Sequence, residues 1–146
     1  MIERIDKDVK TAMKSGDAVR RDALRLVLSS LRDAEKDARR PLTEEEEQAV
    51  LRRELTRRRE AAVAFRDAGH ADRAAAEESE AALIEEYLPA QLTDDELEVI
   101  VESAVAKVGA TSPREMGQVM REAMALAAGR ADGKRVQERV RARLAE

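Results

Sequence analysis

EEYLPAQLTDDEL, residues 85–97, decides how this chain is divided. The apolar positions Leu83, Ile84, Tyr87 and Leu88 end a helical pattern that meets Pro89. Proline has no amide hydrogen and its ring clashes with the preceding turn, so Pro89 is a hard stop. After the short link PAQL, Thr93 is followed three residues on by Glu96. That spacing is a capping box: the hydroxyl accepts from one orphan amide and the carboxylate from another. One helix ends and a new one is launched almost at once. We read a boundary here, with one unit over 1–92 and a second over 93–146.

Upstream, four helices follow from caps and stripes. The first covers about 2–15, with Ile2, Ile5, Val9 and Met13 on one face. Gly16 ends it and Asp17 caps the second, about 18–39, whose stripe is Leu24, Val27, Leu28, Leu31, Ala34 and Ala38. Pro41 stops that helix. Thr43 and Glu46 form the box that opens the third, which runs to about Ala68, where Gly69 breaks it. The fourth covers about 71–87 and is rich in Ala and Glu.

Downstream, Leu97, Ile100, Val101, Ala104, Val105 and Val108 give the fifth helix its core face, and Gly109 ends it. Ser112, Pro113 and Glu115 supply a cap, an N1 proline and a box partner for the sixth, which carries Met116, Val119, Met120, Ala123 and Ala127. Then comes GRADGKRV, 129–136. It lacks the run of free amides and the Lys-Ser/Thr pair of a phosphate loop. Gly129 reads as a left-handed helix end, Asp132 as the next N-cap, and Gly133 as part of a tight corner. The seventh helix buries Val136, Val140 and Leu144. The fold class is therefore all-α: two helical bundles, a four-helix unit followed by a three-helix unit, with Pro89 at the joint. So small a C-terminal unit is expected to lean on the larger one or on a partner.

Composition agrees. Aromatics are 1%, so the core must come from Ala, Leu, Val, Ile and Met, which suits close-packed helices better than strands. Cys is absent, which excludes disulfides and thiolate chemistry. No apolar run reaches the roughly 20 residues of a membrane span, and the N-terminus has no signal-peptide core, so a cytoplasmic protein with no membrane partner is expected. The net charge of −4 argues mildly against indiscriminate nucleic-acid binding.

No catalytic motif is present. The single histidine, His70, sits at a helix break with no nucleophile or orienting carboxylate at local spacing, and reads as a solvated loop residue. The carboxylates come in runs that cap helices. No catalytic residue, metal site or cofactor is expected.

Two basic segments remain. On the third helix, Arg58 takes the empty place in the stripe Leu51, Leu55, Ala62, Phe65. It must reach solvent or a carboxylate, such as Glu35 or Glu85 for a structural pair, or else be held for an anionic partner. Around it Arg52, Arg53, Arg57 and Arg59 make the densest positive segment of the chain. On the seventh helix, Arg135, Arg139 and Arg143 line one edge, joined by Arg130, Lys134 and Arg141; segment 129–144 has six basic and two acidic residues. Such an edge can follow phosphates, or it can pair with the acidic fifth helix (Asp94, Asp95, Glu96, Glu98, Glu102). Neither segment has aromatics, so binding would be to backbone and shape rather than by base stacking.

With those residues in view, EEYLPAQLTDDEL (85–97), VGATSPREMGQVM (108–120) and GRADGKRVQERV (129–140) resemble the signature of the GatB/YqeY family. AMKSGDAVRRDALRLV (12–27) and LTEEEEQAVLRRELTRRREAAVAF (42–65) fit too, with Arg25, Arg53, Glu54, Arg58 and Phe65 in register. The length is similar to the free-standing YqeY type. The resemblance implies an all-helical module related to the tail of the B subunit of Asp/Glu-tRNA amidotransferase, which helps hold tRNA. It implies tRNA, and the enzymes that charge or amidate it, as partners. By that inheritance the chain would be described under carbon–nitrogen ligase activity with glutamine as amido donor, the chemistry residing in other domains. The alternative is a protein–protein adaptor without nucleic-acid contact. The sequence departs from the family pattern at Gln118, where a basic residue is usual, and in MALAAG (124–129), where alanines replace basic residues.

Overall fold

The computed structural model describes residues 1–146. It contains helices and no strand: α1 (Ile2–Ser15), α2 (Ala18–Ala38), α3 (Glu44–Asp67), α4 (Ala71–Glu85), α5 (Asp94–Val108), α6 (Met116–Ala127) and α7 (Gly133–Leu144). A 3₁₀ turn, Pro113–Glu115, leads straight into α6. The capping boxes at Thr43/Glu46 and Thr93/Glu96 are both formed. Asp17 accepts from the Arg20 amide at 3.0 Å and Asp132 from the Arg135 amide at 2.8 Å. No helix is long and apolar enough to cross a membrane.

The chain divides into two compact units, Met1–Leu88 and Pro89–Glu146. In the first, Ile5, Val9, Leu24, Leu28, Leu31, Leu51, Leu55 and Ile84 form the core. Tyr87 closes it: its ring is buried, and its hydroxyl donates to the Asp8 carboxylate on α1 while the Arg4 guanidinium lies 4.6 Å from the ring centroid. Burial and the Asp8 carboxylate push the phenol pKa up, so it stays a donor. Met13, placed on the apolar stripe by its spacing, is 52% exposed and accepts from Arg25 at 3.5 Å instead. In the second unit, Leu97, Val101, Ala104, Val119, Ala123, Val136, Val140 and Leu144 pack together.

Three helix ends differ from the sequence expectation. α4 stops at Glu85, and the next residues tighten into i−3 bonds, Tyr87 N–H to Ile84 at 3.1 Å and Leu88 N–H to Glu85 at 3.1 Å. A residue before proline is pushed out of the α region, so the helix yields ahead of Pro89. Arg39 takes the left-handed conformation, φ 56°, that closes α2. The closure of α6 falls on Ala128, φ 47°, and only then on Gly129, φ 79°. Gly133 needs no glycine sterically: it opens α7 without a positive φ, and a Cβ there meets nothing within 4 Å.

The link PAQL travels with the second unit, so the division falls ahead of the boundary read at 92/93. Leu92 is 4% exposed within the second core and its amide donates to the Arg130 carbonyl at 2.7 Å. A capping box marks where a helix starts; it does not say which core the preceding residue joins.

Candidate nucleic-acid interface

α3 brings its arginines against the glutamates of α4. Arg58 stands among three carboxylates, Glu77 at 3.4 Å, Glu80 at 3.3 Å and Glu54 at 3.9 Å. Its side chain is 25% exposed and theirs 13–28%. The position is structural in the sense its stripe demanded, but Glu35 and Glu85 are not its partners. Glu85 instead pairs with Arg59, and Glu78 with Arg66. Burial raises the Glu80 pKa, against the pull of Arg58. Glu54 also takes Arg57 at 3.3 Å and the Ser30 hydroxyl at 3.2 Å, which ties α2 to α3. Arg52 is half-buried and donates to Gln48 at 3.2 Å; burial lowers its pKa. Arg53 is exposed. The first basic segment is thus divided: Arg58 and Arg59 pair with α4, while Arg53 and Arg57 face solvent.

The α7 edge is used in the same way. Arg135 and Arg139 meet Asp94 at 2.8 and 3.3 Å, and Arg143 pairs with Glu102. The Arg135 and Arg139 guanidiniums hold the Asp94 carboxyl below its ordinary pKa. A shallow concavity of about 110 Å³ opens beside this row, lined by Glu98, Glu102, Arg139 and Arg143 among others. Carboxylates line it as much as guanidiniums do, so any anion there has to displace existing pairs.

The corner GRADGKR does something its sequence did not announce. Arg130 donates from Nε to the Ala90 carbonyl at 2.9 Å and lies 3.6 Å from Glu96. Arg135 donates from Nη1 to the Leu92 carbonyl at 2.7 Å. Two guanidiniums and one backbone bond therefore fasten the link PAQL to the α6–α7 corner. The spacing from 90 to 130 is too long for any local motif to reveal this, though carbonyls left open beside a proline are a natural target for arginine.

The cations left without an ion pair in the second unit lie elsewhere. Arg114 and Arg121 sit seven residues apart on the exposed side of the Pro113–Ala127 helical segment, away from the buried Val119 and Ala123, with exposed Gln118 between them. On α7, Lys134 and Arg141 are likewise exposed and lie on the side away from Val136 and Val140. Of these four, only Lys134 belonged to the set singled out from sequence as RNA-contact candidates. The i,i+7 repeat opposite a core stripe was the signal available for Arg114 and Arg121. No group of His, Cys, Asp and Glu is arranged to hold a metal ion. His70 precedes the first turn of α4 as its N-cap residue, exposed, with its ring edge-on to Phe65 at 6.4 Å.

No curated protein matches the chain. A family model does: the one described as Yqey-like protein matches residues 2–144. With an all-helical chain and a match over nearly its full length, the protein belongs to the YqeY-like family.

Proposed function

We propose that this chain is a non-catalytic accessory that holds tRNA by its sugar–phosphate backbone. The contact surface is the exposed faces of α6, of the 3₁₀ turn before it and of α7, with Arg114, Arg121, Lys134 and Arg141 as phosphate partners. One observation carries the reading: these four cations are exposed and free of ion pairs, whereas Arg130, Arg135, Arg139 and Arg143 already hold carboxylates or carbonyls of their own unit. An unpaired guanidinium gives up only water and counterions to meet a phosphate; a paired one must also strand a carboxylate. Gln118 lies between Arg114 and Arg121, where the family resemblance implies a cation, so affinity here is modest and Gln118→Lys strengthens it.

The test is a filter-binding titration with total tRNA over a range of salt. Each lost phosphate contact flattens the log–log salt slope by close to one. Arg114→Ala with Arg121→Ala is expected to weaken binding and flatten that slope by about two. Undiminished binding by this pair of substitutions, or no wild-type binding at micromolar protein, sinks the proposal.

A second reading, a protein adaptor, is favoured by exposed Val99 and Leu126, 66% and 46% accessible. A partner retained from lysate after nuclease treatment separates it from the first. Amide transfer from glutamine stands on the family name alone: purified chain with glutamine, ATP and misacylated tRNA is expected to give no amidated product.

A further inference from the structure

We propose that α4 acts as an internal substitute for a polyanion, covering an arginine row on α3 that RNA backbone takes when the outer part of the α3–α4 hairpin opens. This rests on the reading that the chain binds RNA, and it assigns a second, masked contact surface in the first unit.

The row is Arg58, Arg59 and Arg66. Each has its charge paired from α4, Arg58 by Glu77 and Glu80 at 25% exposure, and Arg59 by Glu85 and Arg66 by Glu78 at 61% and 58% exposure. Glutamates 77 to 85 run over about 12 Å of helix at 1.5 Å per residue. They set four carboxylates of α4 against α3 along that length. A guanidinium donates to a carboxylate or a phosphate with the same planar fork, so one can replace the other without rearranging α3.

The covering helix is weakly anchored where the exchange would start. From residue 56 to residue 80 only Ala62 and Ala74 are buried, each at 3% exposure, and neither belongs to the main apolar cluster of the unit. Val63 in the same stretch is 52% exposed. α4 begins at His70 without a side-chain cap, after Gly69 at φ 81°. Its far end is different: Ala81, Leu83, Ile84 and Tyr87 are all in the main core. The helix is hinged at a well-packed end and held at the other by ion pairs, two alanines and the half-buried Phe65 ring, against which His70 and Arg73 lie. Segments with few buried apolar contacts are the ones that open below the global unfolding free energy.

The experiment compares full-length chains in tRNA titrations. One variant replaces Glu77, Glu78, Glu80 and Glu85 by Gln. A control removes the same charge from exposed acids without ion pairs, through Asp37→Asn, Glu45→Gln, Asp95→Asn and Glu98→Gln. The α4 variant is expected to bind more tightly than the control, with a log–log salt slope steeper by about two to three. Ala74→Gly loosens α4 without altering any charge and is expected to tighten binding in the same direction. Circular dichroism confirms retained helix, and Ala74→Gly decides the matter if the fourfold variant unfolds. Wild-type binding with neither variant exceeding its reference (the charge-matched control or wild type) overturns the masking and leaves the accessory proposal intact. Binding by the α4 variants alone supports the masking and removes the α6–α7 surface. No binding by any chain overturns both.

Discussion

The α3–α4 pair and the α5–α7 pair are joined by the same chemistry, arginines on one helix and carboxylates on the other, yet the pairs do different things. Between α5 and α7 the ion pairs flank a continuous apolar seam: Leu97, Val101, Ala104 and Val105 on one side, Val136, Val140 and Leu144 on the other, all 7% exposed or less. In the outer part of α3–α4 the buried seam has shrunk to two alanines beside a half-buried Phe65, and ion pairs carry a larger share of the contact. An exposed ion pair contributes little beside an apolar core. Where the core thins, the same pair carries more of the restraint. The number of Arg–Glu contacts therefore says nothing about stability until the apolar contacts beside them are known.

The largest effect should come from the seam. Leu97→Ala, at a fully buried position, is expected to cost about 2–5 kcal/mol in urea unfolding followed by circular dichroism. A loss below about 1 kcal/mol would break the claim that α5–α7 is held by apolar contact. Next in size is Arg58→Met, which leaves Glu54, Glu77 and Glu80 facing one another. Breaking a buried pair costs about 3–5 kcal/mol; with a quarter of the side chain exposed we expect about 1–3 kcal/mol. Arg139→Met on α7 should stay within about 0.5 kcal/mol, because Arg135 still holds Asp94 and the seam is untouched. Equal losses at Arg58 and Arg139 would erase the contrast.

That contrast was only half legible in the sequence. The helices were, because capping boxes at Thr43 and Thr93, the Asp132 cap and the Pro89 stop are local signals with local causes. Arg58 stood out because a charge interrupted an apolar stripe, which is again local. Which glutamates answer it depends on how α4 lies along α3, and that register is fixed by Ala81, Leu83 and Ile84 far from Arg58 in sequence. The α7 edge leaves two readings open in the sequence, a phosphate-following surface or pairs with the acidic fifth helix, because three arginines at four-residue spacing read the same whether they face water or α5. Only the fold shows that Asp94 and Glu102 are opposite them. The use of Arg130 and Arg135 on the Ala90 and Leu92 carbonyls was invisible, since backbone acceptors carry no residue signature.

Acid should move the two regions in opposite directions. Asp94 has a depressed pKa in the folded chain, so its contribution is present above the unfolded carboxylate range and is lost as pH falls through the folded value. Glu80 has a raised pKa, so the folded chain takes its proton first, and its effect on stability improves as pH falls through the raised value. Asp94→Asn should therefore lower stability at pH 7 and have no effect in strong acid. Glu80→Gln, which removes one of three carboxylates around a single guanidinium, should be neutral or stabilising at pH 7. Urea titrations of both variants at pH 7 and at about pH 1.5 check the signs. A Glu80→Gln chain that is markedly weaker at pH 7 would mean that Glu80 is needed to hold Arg58.

The turns should contribute about 1 kcal/mol or less. The turn between α3 and α4 places glycine, Gly69 at φ 81°, where the backbone is left-handed, but the corner before α7 puts an alanine, Ala128 at φ 47°, in that region ahead of Gly129. A Cβ in the left-handed region crowds the following carbonyl and costs roughly 1 kcal/mol. Ala128→Gly removes that crowding but enlarges the freedom of the unfolded chain, so the net gain should be about 0.5 kcal/mol. Gly69→Ala has open space around the new methyl, and the conformation alone should make it lose about 1 kcal/mol. Its loss should register mainly as faster amide exchange in the first turns of α4, because few buried contacts hold that end of the hairpin. If Gly69→Ala instead slows exchange there, the outer hairpin is anchored by contacts stronger than its charges, and the difference between the two helix pairs is one of degree.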